Sequence, residues 1–191
     1  MSMHRYFAGV RPERDTPLHD ELLVESRARV DEIRKAIAAQ VELDVAWDDE
    51  TTDIDSFDYA PHDLHAIRSL AAHEEYPTRT LWIRRSFRLL PDPRDHRGLR
   101  KIYAGANTDF PHMMRHSDDR GFFLPVPFER PVPSNEAAWW MIGSTAGLLQ
   151  ELERVRPLAE REGVELAACW DRLQAAATCA NRRTLPLILE A

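Results

Sequence analysis

The chain has 191 residues, 43% of them hydrophobic and five of them Trp, which is enough to bury a core and excludes a disordered polymer. Its formal net charge of −7 at pH 7 argues against broad, sequence-independent binding to DNA phosphates, because such binding depends on clustered Lys and Arg. No apolar run reaches the length of a membrane span. We therefore expect a protein that contacts neither nucleic acid nor membrane.

Cysteine usage and the N-terminus indicate a reducing compartment. Cys169 and Cys179 lie ten residues apart on one predicted helix, hence about 15 Å apart, which is too far for a disulfide. The N-terminus lacks the apolar region of a signal peptide. Arg outnumbers Lys 23 to 2, a bias typical of a GC-rich bacterial genome. These features predict a cytoplasmic bacterial protein.

The first half of the chain predicts helices separated by short strands. Residues 6–10 favour a strand, and Pro17 begins a long amphipathic helix that runs to about residue 40. Residues 43–47 alternate like a strand and lead into an acidic loop. A second helix is predicted over residues 61–75, and a third, carrying four arginines, over residues 78–90. The buried face of the second helix is predicted to hold Leu64, Ile67, Leu70 and Ala71.

The second half predicts short strands and two C-terminal helices. Residues 92–119 are loop-rich, with a short strand at 101–103, and residues 122–128 are extended at a sheet edge because prolines cannot donate ladder hydrogen bonds. A buried strand is predicted over residues 137–142 and a closing strand over 185–189. One helix follows Ser144 and is bent or ended near Pro157; the next follows Gly163. The buried faces of these helices are predicted to hold Leu148, Leu152, Val155, Ala159, Leu166, Cys169, Trp170, Leu173, Ala177 and Ala180. Together these elements predict a single α+β domain over residues 1–191, with an antiparallel or mixed sheet packed with amphipathic helices.

Two adjoining stretches of opposite charge lie near the middle of the chain. Residues 36–66 contain no Lys or Arg, whereas residues 79–101 contain eight basic residues and two acidic ones. Such stretches either pair with each other within the fold or present charge to a partner. The acidic stretch holds Glu42, Asp44, Asp48, Asp49, Glu50, Asp53, Asp55, Asp58 and Asp63; the basic one holds Arg79, Arg84, Arg85, Arg88, Arg94, Arg97, Arg100 and Lys101.

The densest part of the acidic stretch, residues 48–55, favours either a solvated loop or a docking surface for a basic protein. It lacks the Gly and the closing Glu that an EF-hand loop requires, so Ca²⁺ is not expected. Aromatic residues flank it, and aromatic anchors beside acids are typical of interfaces that bind a cationic partner. The predicted partner-binding residues are Trp47, Asp48, Asp49, Glu50, Asp53, Asp55, Asp58 and Tyr59.

A second candidate site is a group of histidines with a neighbouring carboxylate. His112 and His116 are four residues apart, a spacing that places two imidazoles on one helix face, and Asp118 supplies a carboxylate for Zn or Fe. The alternative is a turn in which His116 and Asp118 bond to the backbone before an extended strand. A further set, His62, His65 and His73, is predicted to lie on a solvated polar helix face.

A segment of residues 143–147, Gly-Ser-Thr-Ala-Gly, lies between a predicted strand and a helix, where a nucleophile elbow would be found. Its central residue is Thr rather than Ser. All eight histidines precede it, whereas the alpha/beta-hydrolase fold supplies its His after the nucleophile. We interpret the segment as a helix start capped by Ser144 or Thr145.

Two segments carry a resemblance to other proteins. One runs from His116-Ser117-Asp118 through Gly121-Phe122-Phe123-Leu124-Pro125-Val126-Pro127-Phe128, and the other joins Ile142-Gly143-Ser144 to Leu148-Leu149-Gln150-Glu151-Leu152. Both resemble a group of small bacterial proteins with no established activity, so the resemblance implies none. In size and acidity the chain is also similar to immunity proteins of bacterial toxin systems.

These observations predict a non-catalytic binding protein, immunity-like or regulatory, that presents its acidic surface to a basic protein partner. No catalytic residue and no cofactor are expected, and a homodimer is left open. The alternative is a metal-dependent hydrolase that uses Zn or Fe at His112, His116 and Asp118.

Overall fold

A computed structural model describes residues 4–8, 55–59, 61–77, 97–115, 120–133 and 141–190, together with the helical residues Lys35 and Ala38. These residues form a mixed β-sheet with helices packed against it, which confirms the α+β fold class. The strand predicted over residues 43–47 and the helix predicted over 78–90 lie outside the described residues. So does the helix predicted over 17–40, apart from Lys35 and Ala38.

The six described strands form one sheet in the order β2-β1-β6-β3-β5-β4. Strands β3 and β5 are parallel, and all the other described pairs are antiparallel. A parallel pair requires a crossover connection, which the chain makes between residues 124 and 141. The strands are β1 (His4–Ala8), β2 (Asp55–Tyr59), β3 (Arg120–Leu124), β4 (Val132–Pro133), β5 (Met141–Ser144) and β6 (Leu187–Glu190).

Five helices surround this sheet in the described part of the chain: α1 (Pro61–Glu75), α2 (Arg97–Tyr103), α3 (Pro111–Met114), α4 (Thr145–Glu162) and α5 (Val164–Arg183). Helices α4 and α5 pack against each other, and α1 packs against both. The predicted inward faces of α1, α4 and α5 are confirmed, because every apolar residue assigned to them is buried. The predicted core residues Leu152, Trp170 and Leu173 belong to one cluster with the apolar face of α1.

The chain reverses between α4 and α5 at Gly163, whose φ of 130° is a conformation that residues with a Cβ rarely adopt. This reversal brings the buried faces of the two helices together. No helix among the described residues is long and apolar enough to cross a membrane. Both cysteines are free thiols, as their spacing predicts.

Two predictions about local structure are wrong, and a third is narrowed to one alternative. Residues 101–103 form the end of helix α2 rather than a strand, because Leu99 and Ile102, three residues apart, bury one face of a helix. The segment 122–128 does not lie at a sheet edge: β3 ends at Leu124, before the first proline, and pairs with both β5 and β6. Of the two alternatives predicted near Pro157, a bend or an end of helix α4, the end is not found, because the helix continues to Glu162.

The remaining strand predictions are confirmed with shifted ends. The strand predicted over residues 6–10 is β1 at 4–8, and the one predicted over 185–189 is β6 at 187–190. Of the strand predicted over 137–142, the described part is the start of β5, which continues to Ser144.

Candidate functional site

The described part of the acidic segment is strand β2, which lies at one end of the sheet order. Its five residues pair with β1, and no described strand pairs with its other side. Of the predicted partner-binding residues, Asp55, Asp58 and Tyr59 lie on this strand. Trp47, Asp48, Asp49, Glu50 and Asp53 lie outside the described residues. The structure therefore anchors one end of the predicted surface on an edge strand.

Strand alternation assigns positions 55 and 58 to opposite faces of the sheet, because they are three residues apart. Asp55 is in register with Ala8, and Ala8 with Leu187, a residue of the helix-packed core. Position 55 therefore shares the helix-covered face. Asp58 is in register with Arg5 on the opposite face. A surface that uses both aspartates has to extend around the edge of the sheet.

Position 58 begins a row of alternating charge across four strands. The row runs from Asp58 to Arg5, then to Glu190 and to Arg120, each in register with the next. Position 58 is therefore in register with a basic position, which the charge pattern along the sequence does not reveal.

Negative charge is concentrated at the start of the chain. Residues 1–66 contain 16 acidic and seven basic residues, whereas residues 67–191 contain 16 acidic and 18 basic residues. On α4 two of the exposed carboxylates have partners of their own. Glu160 accepts a hydrogen bond from Arg156 at 2.8 Å, and Glu153 accepts one from Gln174 at 3.2 Å. The described helical surface is thus a mixture of charges, and the acidic excess belongs to the N-terminal third.

The basic stretch is described only at its end, on α2. Arg97, Arg100 and Lys101 are exposed, and none of them forms an ion pair in the part of the chain that the structure describes. Arg84, Arg85 and Arg88, which would be the internal partners of the acids if the two stretches paired within the fold, lie outside the described residues. For the three basic residues on α2, pairing with the acidic stretch within one chain is not observed.

His112, the first residue of the predicted metal site, is a core residue. Its Nδ1 accepts a hydrogen bond from the backbone N–H of Ser144 at 3.0 Å, and its Nε2 lies 3.0 Å from the carbonyl oxygen of Phe128, to which it donates. Burial lowers the pKa of this imidazole, so the neutral form is favoured. Both ring nitrogens are therefore engaged, and His112 offers neither of them to a metal ion. His116 and Asp118 lie outside the described residues, and the described residues contain no group of three potential metal ligands.

Ser144 and the small residues after it also serve the fold, as predicted. The Ser144 hydroxyl donates to the carbonyl of Val126 at 2.7 Å and accepts from the backbone N–H of Gly147 at 3.1 Å, which caps α4. Gly147 is required because a Cβ there would lie 2.2 Å from Cδ2 of His112. The segment 143–147 is thus a packed helix start and not a nucleophile elbow. Of the other predicted histidines, His73 is half-buried.

Sequence reasoning missed a group of buried polar side chains that hydrogen-bond to helix α3. Glu151, on α4, accepts hydrogen bonds from the backbone N–H groups of His112 at 2.8 Å and Met113 at 2.6 Å. Arg68, on α1 and fully buried, donates to the carbonyl of Met113 at 2.7 Å. Two helices thereby hold the short helix α3 through the buried side chains of Glu151 and Arg68. Burial raises the pKa of Glu151 to about 8, against the lowering effect of its two backbone hydrogen bonds.

A signal for both residues was present in the sequence. Glu151 occupies a position on the apolar stripe of α4 between Leu148 and Leu152, and Arg68 occupies one between Ile67 and Ala71 on α1. A charged residue at a core position of an amphipathic helix indicates a buried polar partner. Here the partner is backbone, so the group stabilises the fold.

Comparison with known proteins gives one family. A sequence model of the family described as "Putative DNA-mimic protein" matches residues 9–188. No curated protein and no solved structure matches the chain.

Proposed function

Since the chain belongs to this DNA-mimic family, which matches residues 9–188 and so nearly all of it, we propose that it binds a DNA-binding protein at the site where that protein binds DNA. The role is non-catalytic, and the binding surface is the acidic N-terminal third. The observation that carries the proposal is the family match together with the position of the charge: residues 1–66 hold 16 acidic and seven basic residues.

The spacing of negative charges along DNA determines how many acidic residues of the chain are needed to imitate one DNA strand. One strand of B-DNA carries a charge every ~3.4 Å along the helix axis. From Asp48 to Asp58 the chain has six carboxylates, and at ~3.3 Å per residue the segment spans at most ~33 Å, so carboxylates occur at least every ~7 Å. Residues 48–58 alone therefore have at least about half the linear charge density of one DNA strand. Further acids of the N-terminal third, such as Glu42 and Asp44, supply the remainder.

The aromatic residues beside the acids give the surface something that DNA phosphates lack. Carboxylates attract the Arg and Lys side chains of a DNA-binding site and accelerate association, but charge alone does not select one partner. Trp47 and Tyr59 flank the acidic run and can be buried against apolar groups of the partner. We infer that the acids set the class of partner and the aromatic residues its identity. An immunity protein directed against a DNA-cleaving toxin is one form of this function.

The proposal is tested by competitive elution. Proteins retained on double-stranded DNA–cellulose, prepared from the organism that encodes the chain, are eluted at constant salt with increasing concentrations of the purified protein. We expect selective release of one protein, which mass spectrometry then identifies. Release of nothing, or release of basic proteins in proportion to their abundance, would contradict the proposal.

Two matched variants separate the acidic segment from net charge. The first, Asp48→Asn with Asp49→Asn, Asp53→Asn and Asp55→Asn, removes four charges from the proposed surface. The control, Glu153→Gln with Glu160→Gln, Glu165→Gln and Asp171→Asn, removes four from exposed positions on α4 and α5. At about 0.5 kcal/mol per exposed charge pair, the first variant should elute about 30-fold less effectively and the control as well as the wild type.

A further inference from the structure

Helix α2 presents a row of cations to solvent. Leu99 and Ile102 are buried in the core, whereas Arg97, Arg100 and Lys101 are exposed. Their spacing of three and four residues places the three cations on one side of the helix. We call these three residues the basic face. Arg97 and Arg100 form no hydrogen bond or ion pair through their side chains in the part of the chain that the structure describes.

Aromatic rings border the basic face on two sides. Tyr103 is three residues from Arg100 and therefore its neighbour on the helix surface, and 47% of Tyr103 is exposed. The Nζ of Lys101 lies 4.9 Å from the centroid of the half-buried Tyr76 ring. Tyr and Arg are among the residues that contribute most of the binding energy in protein interfaces. The surface is therefore suited to an anionic partner.

The basic face is electrostatically unfavourable in the free chain. Arg97 is the first residue of α2, whose first turn contains no acidic residue, so a cation lies at the positive end of the helix dipole. The cations three and four residues apart also repel one another. On α4, by contrast, the exposed side chains of Arg154, Arg156 and Arg161 each lie within 3.7 Å of a carboxylate oxygen. An anion bound at the basic face would relieve this repulsion.

Helix α1 separates the basic face from strand β2, the described end of the acidic stretch. The helix begins two residues after β2 ends, and the residue after the helix is Tyr76, whose ring Lys101 contacts. Its 15 residues span about 21 Å, and the two-residue connection shortens the separation by at most ~7 Å. The far end of α1 thus lies at least ~14 Å from β2, which exceeds the Debye length of about 8 Å at physiological salt. Charges at these two places therefore act on different groups of a partner.

A partner that carries both signs of charge fits this arrangement. Duplex DNA fits less well, because the net charge of −7 opposes approach to a polyanion. We propose that the basic face binds an acidic patch beside the DNA site of the DNA-binding protein, a step that rests on the proposed function. A folded domain of about 100 residues has a radius of gyration of about 13 Å, so a single partner can contact both surfaces.

The basic face would restrict the choice of partner. A cationic surface repels a DNA-binding protein whose DNA site is flanked by further basic residues, and it attracts one whose site adjoins acidic residues. DNA itself carries only negative charge along its backbone and makes no such contact. The acidic N-terminal third therefore attracts DNA-binding proteins as a class, and the basic face selects among them.

Elution from DNA–cellulose with charge-reversed chains tests the proposal. Arg97→Glu with Arg100→Glu should need an about 30-fold higher concentration than the wild type to release the same protein, because each reversal replaces an attraction by a repulsion. The control, Arg115→Glu with Arg130→Glu, makes the same change in charge at two other exposed positions and should elute like the wild type. Equal release by the two variants would overturn the proposal and leave the proposed function intact. A wild type that releases nothing would overturn both.

Thermal unfolding of the free chains gives an independent readout. Arg97→Glu with Arg100→Glu should melt no lower than the wild type, because a carboxylate at position 97 suits the helix dipole and lies four residues before Lys101. A lower melting temperature would show that the two arginines form ion pairs within the chain, and it would overturn the proposal.

Titration with a labelled 20-base-pair duplex distinguishes an acidic protein from nucleic acid. The wild type should not bind the duplex at physiological salt. Binding of the duplex that is lost in the Arg97→Glu, Arg100→Glu chain would assign the basic face to nucleic acid and overturn the proposal.

Discussion

Removing the Glu151 side chain tests whether this buried carboxyl group holds helix α3 in place. In Glu151→Ala the backbone N–H groups of His112 and Met113 lose their acceptors in a buried environment. Each unsatisfied group costs about 1–3 kcal/mol, so the hydrogen bonds alone contribute about 2–6 kcal/mol. The total is comparable with the whole free energy of unfolding of a domain, about 5–15 kcal/mol. We expect a large loss of stability from one substitution.

The size of the loss depends on pH, because burial raises the pKa of Glu151 from its ordinary value of 4.5 to about 8. A folded-state pKa above the unfolded one means that the contribution of the group is complete below pH 4.5 and is lost as the pH rises towards 8. At pH 7 the native wild type has lost roughly 3 kcal/mol of that contribution. Glu151→Ala lacks this titrating group, so its free energy of unfolding should fall furthest below that of the wild type near pH 5 and by less near pH 8.

Urea denaturation at pH 5 and pH 8, followed by circular dichroism, measures both quantities. Glu151→Ala should be about 2–6 kcal/mol less stable than the wild type at pH 5, with a smaller difference at pH 8. Glu153→Ala, two residues away on the exposed side of the same helix, is the control and should change stability by at most about 0.5 kcal/mol. A deficit below about 1 kcal/mol at pH 5, or one of equal size at both pH values, would refute this reasoning.

Three further predictions concern the core. Leu173→Ala should lower the free energy of unfolding by about 2–5 kcal/mol, because Leu173 is buried between α5 and its neighbours; a wild-type melting temperature would show that its face is misassigned. Gly147→Ala should lower the free energy of unfolding by about 1–3 kcal/mol, since its methyl group would lie 2.2 Å from the His112 ring. In a double-mutant cycle, His112→Ala should remove most of that loss of stability. Additive effects of the two substitutions would disprove the contact. Because burial lowers the pKa of His112, the contribution of this side chain to folding stability is complete above pH 6.5 and is lost on acidification. The stability of His112→Leu should therefore depend less on pH below 6.5 than that of the wild type. Equal dependence of the two unfolding free energies on pH would contradict a neutral imidazole.

Long amphipathic patterns made much of the fold predictable. Helices α1, α4 and α5 each bury an apolar stripe of two or more turns, and that periodicity is visible in the sequence. Helix α2 has only seven residues, too few to show a period, and its Ile and Tyr favour a strand locally. The prediction that β3 lies at a sheet edge was wrong for a different reason. The prolines follow the strand, so they end it and do not confine it to an edge.

The candidate site was predictable in its charge but not in its surroundings. Composition alone shows that acidic residues are concentrated at 48–58, which predicts an acidic surface there. That Asp58 lies in register with Arg5 depends on the pairing of strands more than fifty residues apart, which local pattern does not specify. The histidine spacing alone could not decide between a metal site and a packed helix, because four residues fit both equally well, and of the predicted ligands only His112 lies among the described residues. The kind of partner that we propose rests on the family match, since an acidic segment alone does not distinguish a DNA-binding protein from another basic one.

The central claim is that the chain and DNA compete for one site on the DNA-binding protein. Fluorescence anisotropy measures this competition directly. The protein eluted from DNA–cellulose is saturated with a labelled duplex, and the chain is added at several duplex concentrations. We expect complete displacement, with the concentration required for half-displacement rising in proportion to the duplex concentration. A plateau at which duplex and chain remain bound together would contradict the account, because it would place the chain outside the DNA-binding site.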